Sequence, residues 1–243
     1  MPAADPSIVG LIAAGALDAD LAAIVWLLVE GRLPLVVAAP AGRIGAGAQV
    51  LHGALASLGV EPDDVAAATA ALDRPGAWQL VHDGRRGAVL EADSLDDVRK
   101  VLARAPFRLS PQELTFLGCV LVLRPRGEQA AGPLRVTAAH YVRPLARDAH
   151  GHAQELPPAV LATWDQRLAR YESFAWGVLP EIAARLGRPT ADVDADLHHR
   201  RDDLAGLAAA GVTALDEVRT LIAGYRVGYG GPHGGSPSGG AVH

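Results

Sequence analysis

The chain is poor in the residues that announce most kinds of chemistry. It has 243 residues, and only one is a cysteine, Cys119. A lone thiol excludes a disulfide framework. Its place in the apolar run Gly118 to Leu123 reads as a buried, inert side chain and not a nucleophile. Lysine is almost missing too: of 22 basic residues only Lys100 is lysine, which leaves 21 arginines. These arginines are scattered and the net charge is −5, so nucleic acid is not the expected partner. Long hydrophobic runs are also absent. The longest, Leu21 to Val29, is closed by Asp20 and Glu30 and falls far short of the ~20 residues of a membrane span. No basic, apolar leader opens the chain, so a cytoplasmic location is expected. No serine or cysteine sits in a nucleophile elbow, and no internal repeat is visible.

What is present is a large apolar inventory. Half of the residues are hydrophobic, enough for the core of one ordinary domain or of one domain with an appendage. The most informative stretch is Leu33 to Leu58. Leu35 to Ala39 has the character of a buried strand, Pro40 breaks it, and a glycine-rich turn follows. From Ala48 the apolar residues Val50, Leu51, Ala54, Leu55 and Leu58 recur at helical spacing. Strand, glycine turn and helix start, in that order, expose backbone N–H groups that favour an anion. Gly42-Arg43-Ile44-Gly45-Ala46-Gly47 keeps the G-x-x-x-x-G spacing of a Walker A loop, and Ala48 and Gln49 stand where its Lys and Ser/Thr belong. The eight residues Gly42, Arg43, Ile44, Gly45, Ala46, Gly47, Ala48 and Gln49 are therefore the candidate cofactor site, with ATP or ADP as the cofactor class. Hydrolysis is not expected, because the lysine that reaches the β- and γ-phosphates and the hydroxyl that holds magnesium are both replaced.

Two other readings of this turn stand beside the first. One is a tight strand-to-helix turn without a ligand. The other is a loose dinucleotide fingerprint, Gly42-x-x-Gly45-x-Gly47, which requires a second strand ending in an acidic residue ~20 positions on. Glu61, Asp63 and Asp64 lie near that distance but open a helix.

Along the rest of the chain, Asp18 caps an expected helix to Val29. Pro62 opens another helix to about Leu72, and Asp73 to Gly76 reads as a turn. Trp78–His82 and Gly87–Leu90 read as two strands. Ser94 caps a helix to Ala103, and Ser110-Pro111-Gln112-Glu113 is a capping box with proline at the first helical position. Cys119–Leu123 and Leu134–Tyr141 read as strands, with a loop between Gly127 and Gly132. Short strands near 160–164 and 170–174 follow a polar turn over 147–152. Helices are expected over 176–186, 191–209 and 214–225, and the glycine-rich stretch from Gly228 reads as a disordered tail.

Few side-chain clusters compete with the glycine turn. Asp148, His150 and His152 form the only close histidine–acid group and read as an exposed polar turn, since a metal needs further ligands. His198, His199, Arg200 and Arg201 read as a solvated helix face. Glu91, Asp93, Asp96 and Asp97 include candidates for a general base, though the last three serve a helix start. Trp164, Tyr171, Phe174 and Trp176 are expected to seal the C-terminal part onto the sheet.

Two segments together resemble one family. AGALDADLAAIVWLLVEGRLPLVVAAPAG is similar to the opening of the motor domain of the type II and type IV secretion and pilus traffic ATPases, where a helix precedes the Walker A strand. Gly47, Leu51, Ala54 and Leu55 fall in register with that family's loop and helix, with Ala48 and Gln49 in place of its Lys and Thr. GRRGAVLEADSLDDVRKVL is similar to the family's histidine box: Gly87, Ala92 and Ser94 match, and Glu91 stands where its histidine would be. The resemblance covers residues 10–105. Asp83, after the strand expected at 78–82, is the residue that fits a Walker B remnant.

The resemblance implies an α/β fold of the P-loop NTPase or RecA-like type, trimmed, with a partly parallel sheet carrying helices on both faces. The expected division is an α/β domain over 1–139, a mixed then helical part over 140–227, and a tail over 228–243. The function it implies is that of a pseudo-NTPase, a cytoplasmic binding or assembly component with a protein partner or a second copy of itself. A weak ATPase and a nucleotide-independent scaffold are the alternatives.

Overall fold

A computed structural model describes residues 6–127, 131–147, 150 and 152–229 of the chain. The expected tail falls almost wholly outside the described residues, as do Asp148 and part of the loop between Gly127 and Gly132.

The fold is α/β, built on a mixed open sheet. Strands β1 (Leu35–Ala39), β2 (Gly87–Glu91), β3 (Cys119–Pro125), β4 (Leu134–Tyr141), β7 (Ala159–Asp165) and β8 (Arg170–Ser173) form one sheet in the order β2-β1-β3-β4-β7-β8. The first three are parallel, with Val36 beside both Ala88 and Val120, and the rest are antiparallel. A separate small hairpin pairs β5 (Ala146–Arg147) with β6 (Ala153–Gln154). All five residues of β1 are buried, as a central parallel strand with both faces covered requires. Val37 and Ala39 point to one apolar layer, and Val36 and Ala38 to the other.

The first layer holds α1 (Ile8–Ala13), α2 (Ala19–Glu30), α3 (Ile44–Ser57) and α4 (Pro62–Thr69), with α8 (Leu179–Arg185), α9 (Thr190–Ala209) and α10 (Leu215–Tyr229) packed on them. The second holds α5 (Arg74–Val81), α6 (Leu95–Ala103) and α7 (Pro111–Leu114). The division expected after residue 139 falls inside β4. Ser110 and Glu113 make the capping box in full, each side chain bonded to the other's backbone N–H.

One expected strand proves to be a helix. Residues 78–82 are not a strand: Asp73 accepts from Gly76 N at 2.6 Å, Pro75 occupies the first turn, and α5 follows. The Asp-Arg-Pro-Gly segment is thus a helix start, an N-cap with proline just inside it. His82 ends that helix with its ring 3.7 Å from the ring of Trp78 and its Nε2 3.1 Å from Glu113 Oε1. Asp83 consequently follows a helix and stands at no strand end.

Helix α2 explains the C-terminal third. Leu21 to Val29 are all buried, and a helix apolar on every side must be covered on every side. The sheet covers one flank and α9 the other. Arg200, read from sequence as part of a solvated face, is 2% exposed and lies at that contact. Its guanidinium bonds Asp196 through Nε at 2.8 Å and Nη2 at 2.9 Å, reaches Glu30 Oε2 at 2.5 Å, and lies 4.6 Å from the ring centroid of Trp26. Arg188 (2.7 Å) and the Tyr225 hydroxyl (2.8 Å) donate to the same Asp196 carboxylate. Burial raises the Asp196 carboxyl, but the hydrogen bonds and charge of Arg200, with Arg188 and Tyr225, outweigh it and hold it below its ordinary value.

Arg200→Ala removes the guanidinium that Asp196 and Glu30 share at a buried contact and is expected to cost about 3 kcal/mol in urea unfolding, against about 0.5 kcal/mol or less for the half-exposed neighbour Arg201→Ala. Because the folded value of Asp196 is depressed, its stabilising contribution is complete above about pH 4, the unfolded carboxylate value, and fades as pH falls through the folded one. Asp196→Asn should flatten the acid limb of the stability–pH curve, and an unchanged limb would refute the linkage.

Candidate functional site

Adjacent strands of a parallel sheet whose connections leave toward opposite faces open a crevice at their carboxyl ends, where ligands of such sheets bind. Here β1 leads into α3 on one face and β2 leads into α6 on the other. The crevice between Ala39 and Glu91 is therefore the candidate site, and the glycine turn forms one wall.

The geometry of that wall differs from a phosphate cradle. Between Ala39 and the first residue of α3 there are only four residues, Pro40 to Arg43. Arg43 N donates to Pro40 O at 2.9 Å, and Gly42 has φ +70°, a conformation that favours glycine. Arg43 is the N-cap, and Gly47 N donates to its carbonyl at 3.0 Å in the first bond of the helix. Ile44, Gly45, Ala46, Gly47, Ala48 and Gln49 are thus helical, and of the eight candidate residues only Gly42 and Arg43 lie in the turn. The sequence reading started this helix at Ala48. It starts four residues earlier because Ile44, Ala46 and Ala48 carry no helix-breaking side chain and Gly45 and Gly47 are tolerated near a helix start.

The two helical glycines have different jobs. A Cβ on Gly47 would sit 2.9 Å from Ala39 Cβ and 3.0 Å from Val89 Cγ1, so its absence lets α3 lie close on β1 and β2. A Cβ on Gly45 would meet nothing within 4 Å.

The opposite wall is acidic. Glu91 ends β2, and its Oε2 accepts from Gly42 N at 3.1 Å, while Ala92 N donates to Ala39 O at 3.0 Å. The carboxylate of the chain itself therefore takes up a turn N–H that an anion would need. Arg43 turns its guanidinium away toward the β3–β4 hairpin, donating to Gly132 O at 2.9 Å. Asp93 and Arg124 pair at 2.5 Å on the rim. Asp96 and Asp97 lie in the first turn of α6, where Ser94 holds the Asp97 carboxyl below its usual value by a hydrogen bond, with Lys100 adding to it. What remains open to an anion is the start of α3, which has no side-chain cap and no acidic residue in its first turn; helix geometry leaves the N–H groups of Ile44, Gly45 and Ala46 without intrahelical acceptors.

No protein-family model matches the chain, and no curated protein matches it in sequence. The site is therefore read from its own residues.

Elsewhere Cys119 is wholly buried in β3, and burial pushes its thiol up to about 12, far from nucleophilic range. Among the described residues no group of three His, Cys, Asp or Glu side chains could hold a metal, and no helix is long and apolar enough to cross a membrane. His150 and His152 lie with ring centroids 6.2 Å apart. Of the four C-terminal aromatics, Trp164 and Tyr171 pack edge to face at 5.0 Å, and the Tyr171 hydroxyl reaches the carbonyls of Ala16 and Val136, both at 2.8 Å. Phe174 and Trp176 do not seal the domain: Trp176 is 78% exposed. Sequence reasoning placed Glu91 in a family motif but missed its partner, because the partner lies 49 residues away across the sheet.

The glycines separate packing from ligand geometry. Gly45→Ala is expected to stabilise by about 0.5–1 kcal/mol through helix propensity, and Gly47→Ala to destabilise by about 1–3 kcal/mol through overpacking. Thermal unfolding of the two variants checks the opposite signs.

Proposed function

We propose that this chain is a non-hydrolysing relative of the secretion and pilus ATPases, on a trimmed P-loop-like fold, and that it serves as a binding or assembly component in the cytoplasm with a protein partner or a second copy of itself. The observation that carries this reading is the bond from Gly42 N to Glu91 Oε2. It closes the crevice with the chain's own negative charge at the place where a phosphate would need donors. Three further features support it. The turn from β1 to α3 is too short to wrap a triphosphate. Ala48 and Gln49 supply neither cation nor hydroxyl. The strands β2-β1-β3 run parallel with the glycine turn at the carboxyl end of β1, an arrangement compatible with this reading.

A second reading, nucleotide binding without turnover, is favoured by the uncapped start of α3. One experiment separates the two. Thermal-shift titrations with ATP, ADP and GTP, each with and without magnesium, are expected to stay flat to millimolar concentration, and phosphate release to stay at blank. Saturable stabilisation, about 2.7 kcal/mol at 100 times the dissociation constant, would establish the second reading; magnesium-dependent turnover would sink both.

The double substitution Ala48→Lys with Gln49→Thr tests the shape of the turn. It is expected to create no turnover, because both positions lie beyond the first turn of α3. Glu91→Gln removes the charge in the crevice and is expected to leave the protein folded. If the carboxylate is what excludes phosphate, this variant alone should show nucleotide-dependent stabilisation.

A further inference from the structure

Helices α9 and α10 are joined by five residues, 210–214, and share α1 as a support, but α9 packs also on α2 and α8 and α10 on α3. An open slot of about 530 Å³ lies between them, within the size range of small-molecule sites. Its walls are apolar, formed by Leu204 and Leu207 on one side and Leu221 and Ile222 on the other, with Trp26 and Tyr225 also lining it. Gly206 and Gly224 border the slot from the two helices, and a Cβ on either would meet nothing within 4 Å.

The polar groups give the slot a sign. Trp26 is 1% exposed, and its indole N–H meets no acceptor among the described residues. The same holds for Nη1 of Arg200, whose guanidinium lies over the Trp26 ring. The charges behind this wall balance: Arg200 and Arg188 against Asp196 and Glu30. The lining itself is not balanced, because it includes Asp202 and Asp203 and, among the described residues, no basic side chain. Asp202 is partly answered by Arg201 at 2.8 Å. Arg200 already stands over the rings of Trp26 and Tyr225, at 4.6 and 5.6 Å. The sign therefore comes from the carboxylates: among the described side chains of the lining, Asp203 and the partly answered Asp202 favour a positive charge attached to an apolar body.

We propose that the slot between α9 and α10 is a binding site for an amphipathic organic cation. The apolar part fills the space between the leucines, the cationic end meets Asp202 and Asp203, and a hydrogen-bond acceptor on the body reaches the indole N–H of Trp26. This site lies apart from the crevice at β1 and β2, so it stands or falls independently of the nucleotide question.

The test is isothermal titration of the full chain with tetraphenylphosphonium and with tetraphenylborate, ions of one shape and opposite charge. The cation is expected to bind saturably at one per chain and the anion at least tenfold more weakly. Gly224→Leu and Gly206→Leu, which fill the slot where there is room for a side chain, should each weaken the cation tenfold or more; circular dichroism checks that both stay folded. Asp203→Asn should lower affinity several-fold at low salt, with the difference shrinking as salt screens it. Equal binding of the two ions, or cation binding that survives both glycine variants, would overturn the proposal. So would cation binding that appears only after residues 230–243 are removed, which would make the chain's own C-terminal segment the occupant, or binding confined to a basic helical peptide.

Discussion

A helix with no polar side has to be enclosed, and the enclosure of α2 organises this molecule. Nine consecutive buried residues leave α2 no solvent face. At roughly 1.5–3 kcal/mol for each fully buried large side chain, covering them is among the largest favourable terms available to the fold. The sheet covers one side, and the chain comes back after β8 to cover the other with α9. That return brings a charged residue into the contact, because α9 is rich in acids and arginines and must still lie flat on an apolar partner. Arg200 resolves the conflict by spreading its guanidinium over Trp26 while Asp196 and Glu30 take its donors. Burial works against its charge, yet the two carboxylates keep the guanidinium firmly protonated.

The same arrangement explains why a slot exists at all. Helix α10 meets α9 through Tyr225, at Asp196 and Arg200. Its lean toward α3 is set by packing on that helix, which lies close on β1 and β2 at Gly47, and the slot opens beside Tyr225. A close approach in α3 is thus passed to α10, on the same side of the sheet, through direct packing. It needs no flexible part.

Much of the fold was legible in the sequence because it is carried by local chemistry. The strand at 35–39, the capped helix after Asp18, the capping box at Ser110 and the strands at 119–123 and 134–141 all follow from patterns a few residues long. The departures have local causes as well. Asp73-Arg-Pro-Gly was ambiguous between a turn and a helix start, since aspartate and proline serve both. The hidden facts were the non-local ones. Nothing around Arg200 marks it as buried, because its partners lie at Asp196 on one side and at Glu30 on a helix 170 positions earlier. Nothing near Gly42 names Glu91.

The contact between Gly42 and Glu91 sets the sign of the field at the carboxyl end of β1. A phosphate cradle works by gathering several N–H groups toward one point with a cation opposite. A turn of four residues, with the helix beginning at Ile44, instead aligns most N–H groups along one axis, and only the first three of the helix remain open. Placing a carboxylate across the crevice then reverses the sign of the field at that point. Either change alone would leave a weakened anion site; a short turn with a cation opposite could still hold a monophosphate, and a long turn beside a glutamate could still hold a phosphate through magnesium. Here the two occur together, and Arg43, the one cation of the turn, points away to Gly132. Electrostatics, turn length and side-chain inventory therefore all weaken an anion site at this point, and the N–H groups at the start of α3 are the donors left to an anion there.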